Sequence, residues 1–295
     1  MLYLILVAFV AALGGFLFGY DTAIISGTIG FVKTKFALDA VAEGWFVSSA
    51  LVGCIFGVMF TGVLNDWFGR KKALLLSGLL FLVSAIGCTL APTLSILIAF
   101  RLIGGIGVGV ASMTSPLFIA EISPPHIRGR LVTLYQLAIT VGILLAYFAN
   151  ASLLGLSAQS YDSELFTWII QEEVWRAMFG SECVPAVLFF VLVLLIPESP
   201  RWLTLKHQED RAYRILERIN GPERATEELR EIKDTVAHEA APWQTLWKPG
   251  IRKALVIGAS LAFLTQICGV NAIIYYGPRI LEEAGFALSD ALGGK

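Results

Sequence analysis

From Leu2 to Tyr20 every residue is apolar or glycine, and a single carboxylate, Asp21, ends the run before Thr22-Ala23-Ile24-Ile25-Ser26-Gly27. About 20 apolar residues at 1.5 Å of helical rise cross a hydrocarbon layer about 30 Å thick, so the run reads as a membrane-spanning helix. A bare Asp costs about 2.5–3.5 kcal/mol near the centre of such a span. Asp21 is therefore expected to face a partner or a water-filled cavity. A partner of the right sign, Arg101, lies in another apolar run, Leu94 to Ile119. The expectation is that this acid–base couple is the working centre and the other spans are its frame.

Composition supports a chain made for a lipid bilayer. Hydrophobic residues make up 56% and charged residues 15%, with a mean hydropathy of +0.73. Soluble domains carry about 25% charged residues. The net charge of −1 gives no reason to expect a nucleic-acid partner. Cys54, Cys88, Cys183 and Cys268 all fall in apolar runs without a CxxC pair, and read as packing residues. His126, His207 and His238 are scattered in polar segments, so neither a metal site nor a cofactor is expected. No Lys or Arg precedes the first apolar run, which argues against a cleaved signal peptide.

In chain order, the first span is expected to end near Ser26, followed by a polar connection with Lys33, Lys35, Asp39 and Glu43. The second runs from about Trp45 to Leu64, with Gly53 and Gly57 on one face. A charged turn from Asn65 to Lys72 leads to the third, about Ala73 to Leu90. The fourth, Leu94 to Ile119, holds Arg101 and the Gly105/Gly109 pair. The fifth is about Leu131 to Leu154 and contains Gln136; an acidic loop with Asp162, Glu164, Glu172 and Glu173 follows. The sixth is about Trp175 to Ile196 and contains Glu182. From Pro197 to Gly250 the chain is charged, with two amphipathic helices marked by Ala212, Ile215, Leu216, Ile219 and by Ala225, Leu229, Ile232, Val236. They are expected on the membrane surface or against the underside of the bundle. The seventh span is about Ile251 to Tyr276, with Gln266 and Asn271 inside.

Basic residues set the expected orientation. Arg70, Lys71, Lys72, Arg128, Arg130 and the cations from Arg201 to Lys253 gather on one side, the other having Lys33, Lys35 and little else before Arg279. The first side is expected to be cytoplasmic, together with the amino terminus and the 198–250 linker, in an inner or plasma membrane.

Several stretches resemble a known family. Gly62-Val-Leu-Asn-Asp66-Trp-Phe-Gly69-Arg70-Lys71-Lys72 is similar to the loop signature of the major facilitator superfamily. Arg101-Leu-Ile-Gly-Gly, Glu121 through Arg128-Gly-Arg130, Pro197-Glu198-Ser199-Pro200-Arg201-Trp202-Leu203 and Gln266-Ile-Cys-Gly-Val-Asn271-Ala-Ile-Ile-Tyr275-Tyr276 resemble its sugar porter family, in the family's order. The resemblance implies an all-α membrane fold of two six-helix bundles, a cytoplasmic helical linker, and substrate bound between the halves. Against that pattern, residues 1–197 are expected to be the N-terminal bundle, 198–250 the linker, and 251–295 the first helix of an incomplete C-terminal bundle. The missing bundle is then a required partner, and residues 1–295 alone are expected to enter a membrane without transporting.

The resemblance also implies roles. Proton-coupled members resemble Phe18-Gly-Tyr-Asp21, which makes Asp21 the proton carrier, Arg101 its counter-charge and Glu182 a second acid. A buried carboxylate resists ionisation and a nearby Arg favours it, so a change in their separation would load and release a proton. The plainer reading is a static ion pair that fixes helix register, with Glu182 near an interface and bonded to backbone. Gln136, Gln266 and Asn271 match sugar-contact positions, where an amide both donates to and accepts from hydroxyls. Phe18 and Tyr275 match aromatic ones. Amides that join helices and rings that only pack are the alternatives. Thr265 stands where xylose-carrying members have a second Gln, which argues against xylose itself. Asp66, Arg70, Glu121, Arg128, Glu198 and Arg201 are expected to form a cytoplasmic gate between the halves; plain positive-inside topology is the alternative. The expected activity is proton-coupled uptake of a monosaccharide, a pentose or hexose, with no enzymatic chemistry. A polyol symporter, an uncoupled facilitator and a sugar sensor are the alternatives.

Overall fold

The computed structural model describes residues 2–158, 163–237, 247 and 249–285. Asp162, His238 and the last ten residues of the expected third segment lie outside them. The long helices are α1 (Leu2–Phe36), α2 (Ala40–Phe68), α3 (Arg70–Leu90), α4 (Leu94–Ile122) and α5 (Pro125–Leu156). A short α6 (Glu164–Phe166) and a π-helical stretch (Thr167–Glu172) lead into α7 (Val174–Ser181) and α8 (Cys183–Leu195). The linker holds α9 (Pro200–Leu205), α10 (Glu209–Asn220) and α11 (Pro222–Ala237); α12 (Pro249–Ile267) and α13 (Val270–Glu283) follow. Among the described residues, seven helical stretches are long and apolar enough to cross a membrane, with α7–α8 and α12–α13 each making one.

Glycine pairs set how closely α2 and α4 pack. A Cβ on Gly53 would strike the Leu102 carbonyl, and one on Gly105 the Ala50 carbonyl. Gly57 and Gly109 repeat this one turn on, against Ile106 and Cys54. Small residues four apart let two backbones approach this closely in a membrane, where packing replaces the hydrophobic effect. The first helix α1 occupies the centre, packed against α4, α5, α7, α8 and α13. Outward-facing side chains such as Phe56, Met59, Phe60 and Leu144 are exposed, as lipid contact requires.

Three expectations are corrected. The first helix does not stop near Ser26; it runs to Phe36, because nothing between them breaks a helix, and Lys33 and Lys35 lie on its last turn. The sixth span runs from Val174 to Leu195 as expected. Pro185 cannot donate to the Ser181 carbonyl, and the only irregularity is one residue, Glu182, whose φ and ψ stay helical. The seventh is interrupted at Gly269, whose left-handed φ of 71° separates α12 from α13. The acidic loop is partly helical, and its Glu173 is buried.

Glu173 closes a clamp at the end of the bundle away from the linker. It pairs with Lys35 of α1 and Arg176 of α7. Arg176 lies between the Trp168 and Trp175 rings, 4.5 and 4.3 Å from their centroids, and donates to the Thr89 carbonyl. Burial pushes the Glu173 carboxyl up, but Lys35 and Arg176 outweigh it and hold the group below its usual range. A carboxylate with a depressed folded pKa adds stability above its unfolded pKa, which disappears as pH falls through the folded one. Glu173→Gln is therefore expected to lower the unfolding temperature in detergent at pH 7. The gap to wild type should close on acidification below the ordinary carboxylate range. A gap independent of pH would show that the ion pairs add nothing.

Candidate functional site

The apolar interior forms two clusters, and a charged centre lies where they meet. One cluster includes Leu17 of α1, Val108 of α4 and Ala186 of α8. The other includes Tyr20, Leu97 and Phe179 of the same three spans. Arg101 and Glu182 fall between those positions, and Asp21 directly follows Tyr20. Asp21 is 4% exposed, Arg101 2% and Glu182 1%. Arg101 Nη1 donates to Asp21 Oδ1 at 3.2 Å, and the guanidinium stands 5.7 Å from the centre of the Phe179 ring. Glu182 lies within electrostatic reach of both, and its Oε1 has no hydrogen-bond partner. It is thus a buried second acid, not the interfacial, backbone-bonded group of the plainer reading. Beside it, Tyr20 Oη and Ser181 Oγ are 2.8 Å apart.

The expected sugar contacts are only partly brought together. Gln266 lies in the last turn of α12 and Asn271 in the first turn of α13; across the Gly269 break, Asn271 Nδ2 donates to Gln266 Oε1 at 3.1 Å. Thr265 is exposed, and its hydroxyl donates to the Leu261 carbonyl. Tyr275, one turn into α13, is buried in the cluster that holds Tyr20, within electrostatic reach of Asp21 and Arg101. Phe18 is half-buried in the other cluster, and Gln136 is exposed on α5. Pro278 holds α13 in place indirectly. It leaves the Ile274 carbonyl without its helical donor, and Tyr147 Oη of α5 donates there at 2.7 Å.

Two features escaped sequence reasoning. Glu43 of α2, 6% exposed, pairs with Lys33 of α1 and Arg279 of α13, each at 2.6 Å. Their scattered positions carry no motif. At the linker end, Glu198 caps α3. Its Oε1 accepts from the backbone N–H of Arg70 at 2.9 Å and of Lys71 at 3.1 Å. Gly69, with φ of 92°, supplies both the turn and the room, since a Cβ there would collide with the Glu198 carboxylate. Burial pushes the Glu198 carboxyl above its usual range, against the pull of these N–H groups and the Arg70 charge.

The other gate residues gather around the same point. Arg70 makes a two-pronged pair with Glu121, Nε to Oε2 at 2.9 Å and Nη2 to Oε1 at 2.7 Å, and Ser199 Oγ donates to Glu121 Oε2 at 2.6 Å. Exposed Asp66 is 3.9 Å from Arg70, and Arg128 donates to the Ser123 carbonyl. Arg201 lines the same 460 Å³ cavity as Asp66, Arg70, Glu121 and Arg128. These bonds run within the bundle and its linker.

Apolar helices around a buried ion cluster are the build of a multi-pass membrane transporter. A family model described as "Sugar (and other) transporter" matches residues 7–293. The chain is 45% identical over 285 residues to the Arabinose-proton symporter of Bacillus subtilis (strain 168), covering 96% of this chain and 60% of that relative. It is 38% identical over 316 residues to the D-xylose-proton symporter of Escherichia coli (strain K12), covering 98% and 62%. Its structure matches the partially occluded, inward-open xylose transporter XylE from E. coli with a TM-score of 0.83 at 36% identity, over 98% of this chain and 69% of that one. The chain belongs to the sugar porters of the major facilitator superfamily, which are transporters and not enzymes. It spans about 60% of the length of these curated relatives.

Proposed function

We propose that this chain carries the proton site and part of the sugar site of a proton-coupled monosaccharide transporter working by alternating access, with a pentose as substrate. The observation that supports it most is the buried pair Asp21–Arg101 with the unpartnered Glu182 beside it. One guanidinium balances one of two carboxylates. One negative charge is left over, and a transported proton restores neutrality, carried by Asp21 when Arg101 moves away from it, with Glu182 as the second acid of the relay. A rocking motion that moves Arg101 from one acid toward the other ties protonation to conformation. Each proton crossing 100 mV supplies about 2.3 kcal/mol, enough for roughly 50-fold accumulation.

Gln266 and Asn271 sit at a break between half-helices, the kind of feature that transporters place at their substrate sites. In this reading they exchange their mutual hydrogen bond for sugar hydroxyls. Thr265, Tyr275, Phe18 and Gln136 complete the near side of the pocket. The cation-rich linker end, with the amino terminus and the 198–250 linker, faces the cytoplasm. Asp66, Arg70, Glu121, Arg128, Glu198 and Arg201 form the face that a second bundle closes upon. The test reconstitutes the full product of the gene in liposomes with L-arabinose, D-xylose, D-glucose and myo-inositol. Saturable pentose uptake with a proton entering alongside is expected. Uptake indifferent to an imposed proton gradient, or no saturable monosaccharide uptake, overturns the reading.

A further inference from the structure

A second cavity, about 660 Å³, opens where the α2–α3 turn meets the linker, outside the charged centre and the gate cluster's own hollow. Phe68, Lys71, Lys72 and Leu75 form one wall; Trp202, Arg211, Arg214 and Ile215 form the other. Four cations line it against one carboxylate, Glu198, which is already occupied in capping α3. The Lys71 ammonium donates to the Leu194 carbonyl at 2.7 Å. Lys72, Arg211 and Arg214 are exposed. Arg211 donates to Gln208 Oε1 and Arg214 to the Asp210 carbonyl, neutral oxygens that orient the guanidiniums without cancelling their charge.

We infer that this groove binds the phosphate headgroup of an anionic phospholipid, which fastens the linker helix α10 to the membrane helix α3. Charge selects an anion, and position selects a lipid. The groove sits at the start of a membrane helix. From Lys72, the exposed side chains Leu76, Leu79 and Val83 continue along one face of α3 and give the acyl chains a track. Trp67, 70% exposed, and Phe68, 48% exposed, stand at the same level, where aromatic rings favour the headgroup zone. A soluble phosphate would use the cations and leave these apolar surfaces in water. Basic pockets of this build hold anionic headgroups in other membrane proteins.

The test is native mass spectrometry of the delipidated chain in detergent, with palmitoyl-oleoyl phosphatidylglycerol or phosphatidylcholine added. Retention of phosphatidylglycerol over phosphatidylcholine is expected. Lys72→Gln/Arg214→Gln should weaken it by roughly tenfold or more, as two interfacial cations would, and Arg211→Gln alone by less. The control Arg224→Gln/Arg230→Gln removes the same charge from exposed positions on α11 and should bind as wild type does. All four side chains replaced in the two double variants are exposed, so both should unfold at the wild-type temperature in lipid-free detergent. Equal retention of the two lipids, or equal loss in the two double variants, overturns the inference. Displacement of phosphatidylglycerol by millimolar inorganic phosphate also overturns it, by pointing to a soluble anion.

Discussion

Removal of the Arg101 guanidinium is expected to cost about 3–5 kcal/mol of stability, the usual penalty for stripping the counter-charge from a buried pair. Arg101→Ala leaves Asp21 and Glu182, 4% and 1% exposed, facing each other's field with no cation between them. It also removes the guanidinium that stands over the Phe179 ring. Asp21→Asn alone should cost far less, because Glu182 remains to balance the guanidinium. The double variant Arg101→Ala/Asp21→Asn should recover part of the loss, since one uncompensated acid has gone. Unfolding of the four proteins in detergent closes the cycle. Additive costs would show that Asp21 and Arg101 are neighbours without being coupled.

Asp21→Asn is expected to abolish uphill sugar accumulation by the full gene product, a loss of the whole concentrative gradient, while exchange of sugar down its gradient persists. The amide keeps the shape of the carboxylate and a hydrogen bond to Arg101, and cannot carry a proton. The two residues are therefore expected to separate by readout, Arg101→Ala in stability and coupling and Asp21→Asn in coupling alone. Counterflow and gradient-driven uptake in the same vesicles distinguish the two. Accumulation by Asp21→Asn would remove Asp21 from the proton path and leave Glu182 as its remaining acid.

Membrane helices were legible because hydropathy is a local property: a run such as Leu2–Tyr20 has no soluble alternative. The Gly53/Gly57 and Gly105/Gly109 pairs announced close helix contacts for the same reason, since spacing of four marks one face. Opposite charges in two apolar runs pointed Asp21 to Arg101, because neither could be left unpaired in hydrocarbon. Other charged residues gave no such constraint. Glu198, Glu43 and Glu173 lie outside the apolar runs, where a solvated carboxylate costs nothing. Their capture by Arg70 and Lys71 N–H groups, by Lys33 and Arg279, and by Lys35 and Arg176 depends on chain segments up to 236 residues apart.

The sequence by itself determined that this is a multi-span membrane chain, which runs pack through glycine, and that Asp21 needs a cation. Family motifs added the sugar porter assignment, which the matches to known transporters show. Tertiary structure decided the rest. It carried α1 through to Phe36, buried Glu182 within electrostatic reach of Asp21 and Arg101, and split the seventh span at Gly269 so that Gln266 and Asn271 meet. It also drew Lys72, Arg211 and Arg214 to one groove. The division has one physical cause. Burial of an apolar run is dictated residue by residue, whereas the partner of a polar group is whichever one the packed helices bring within hydrogen-bond reach.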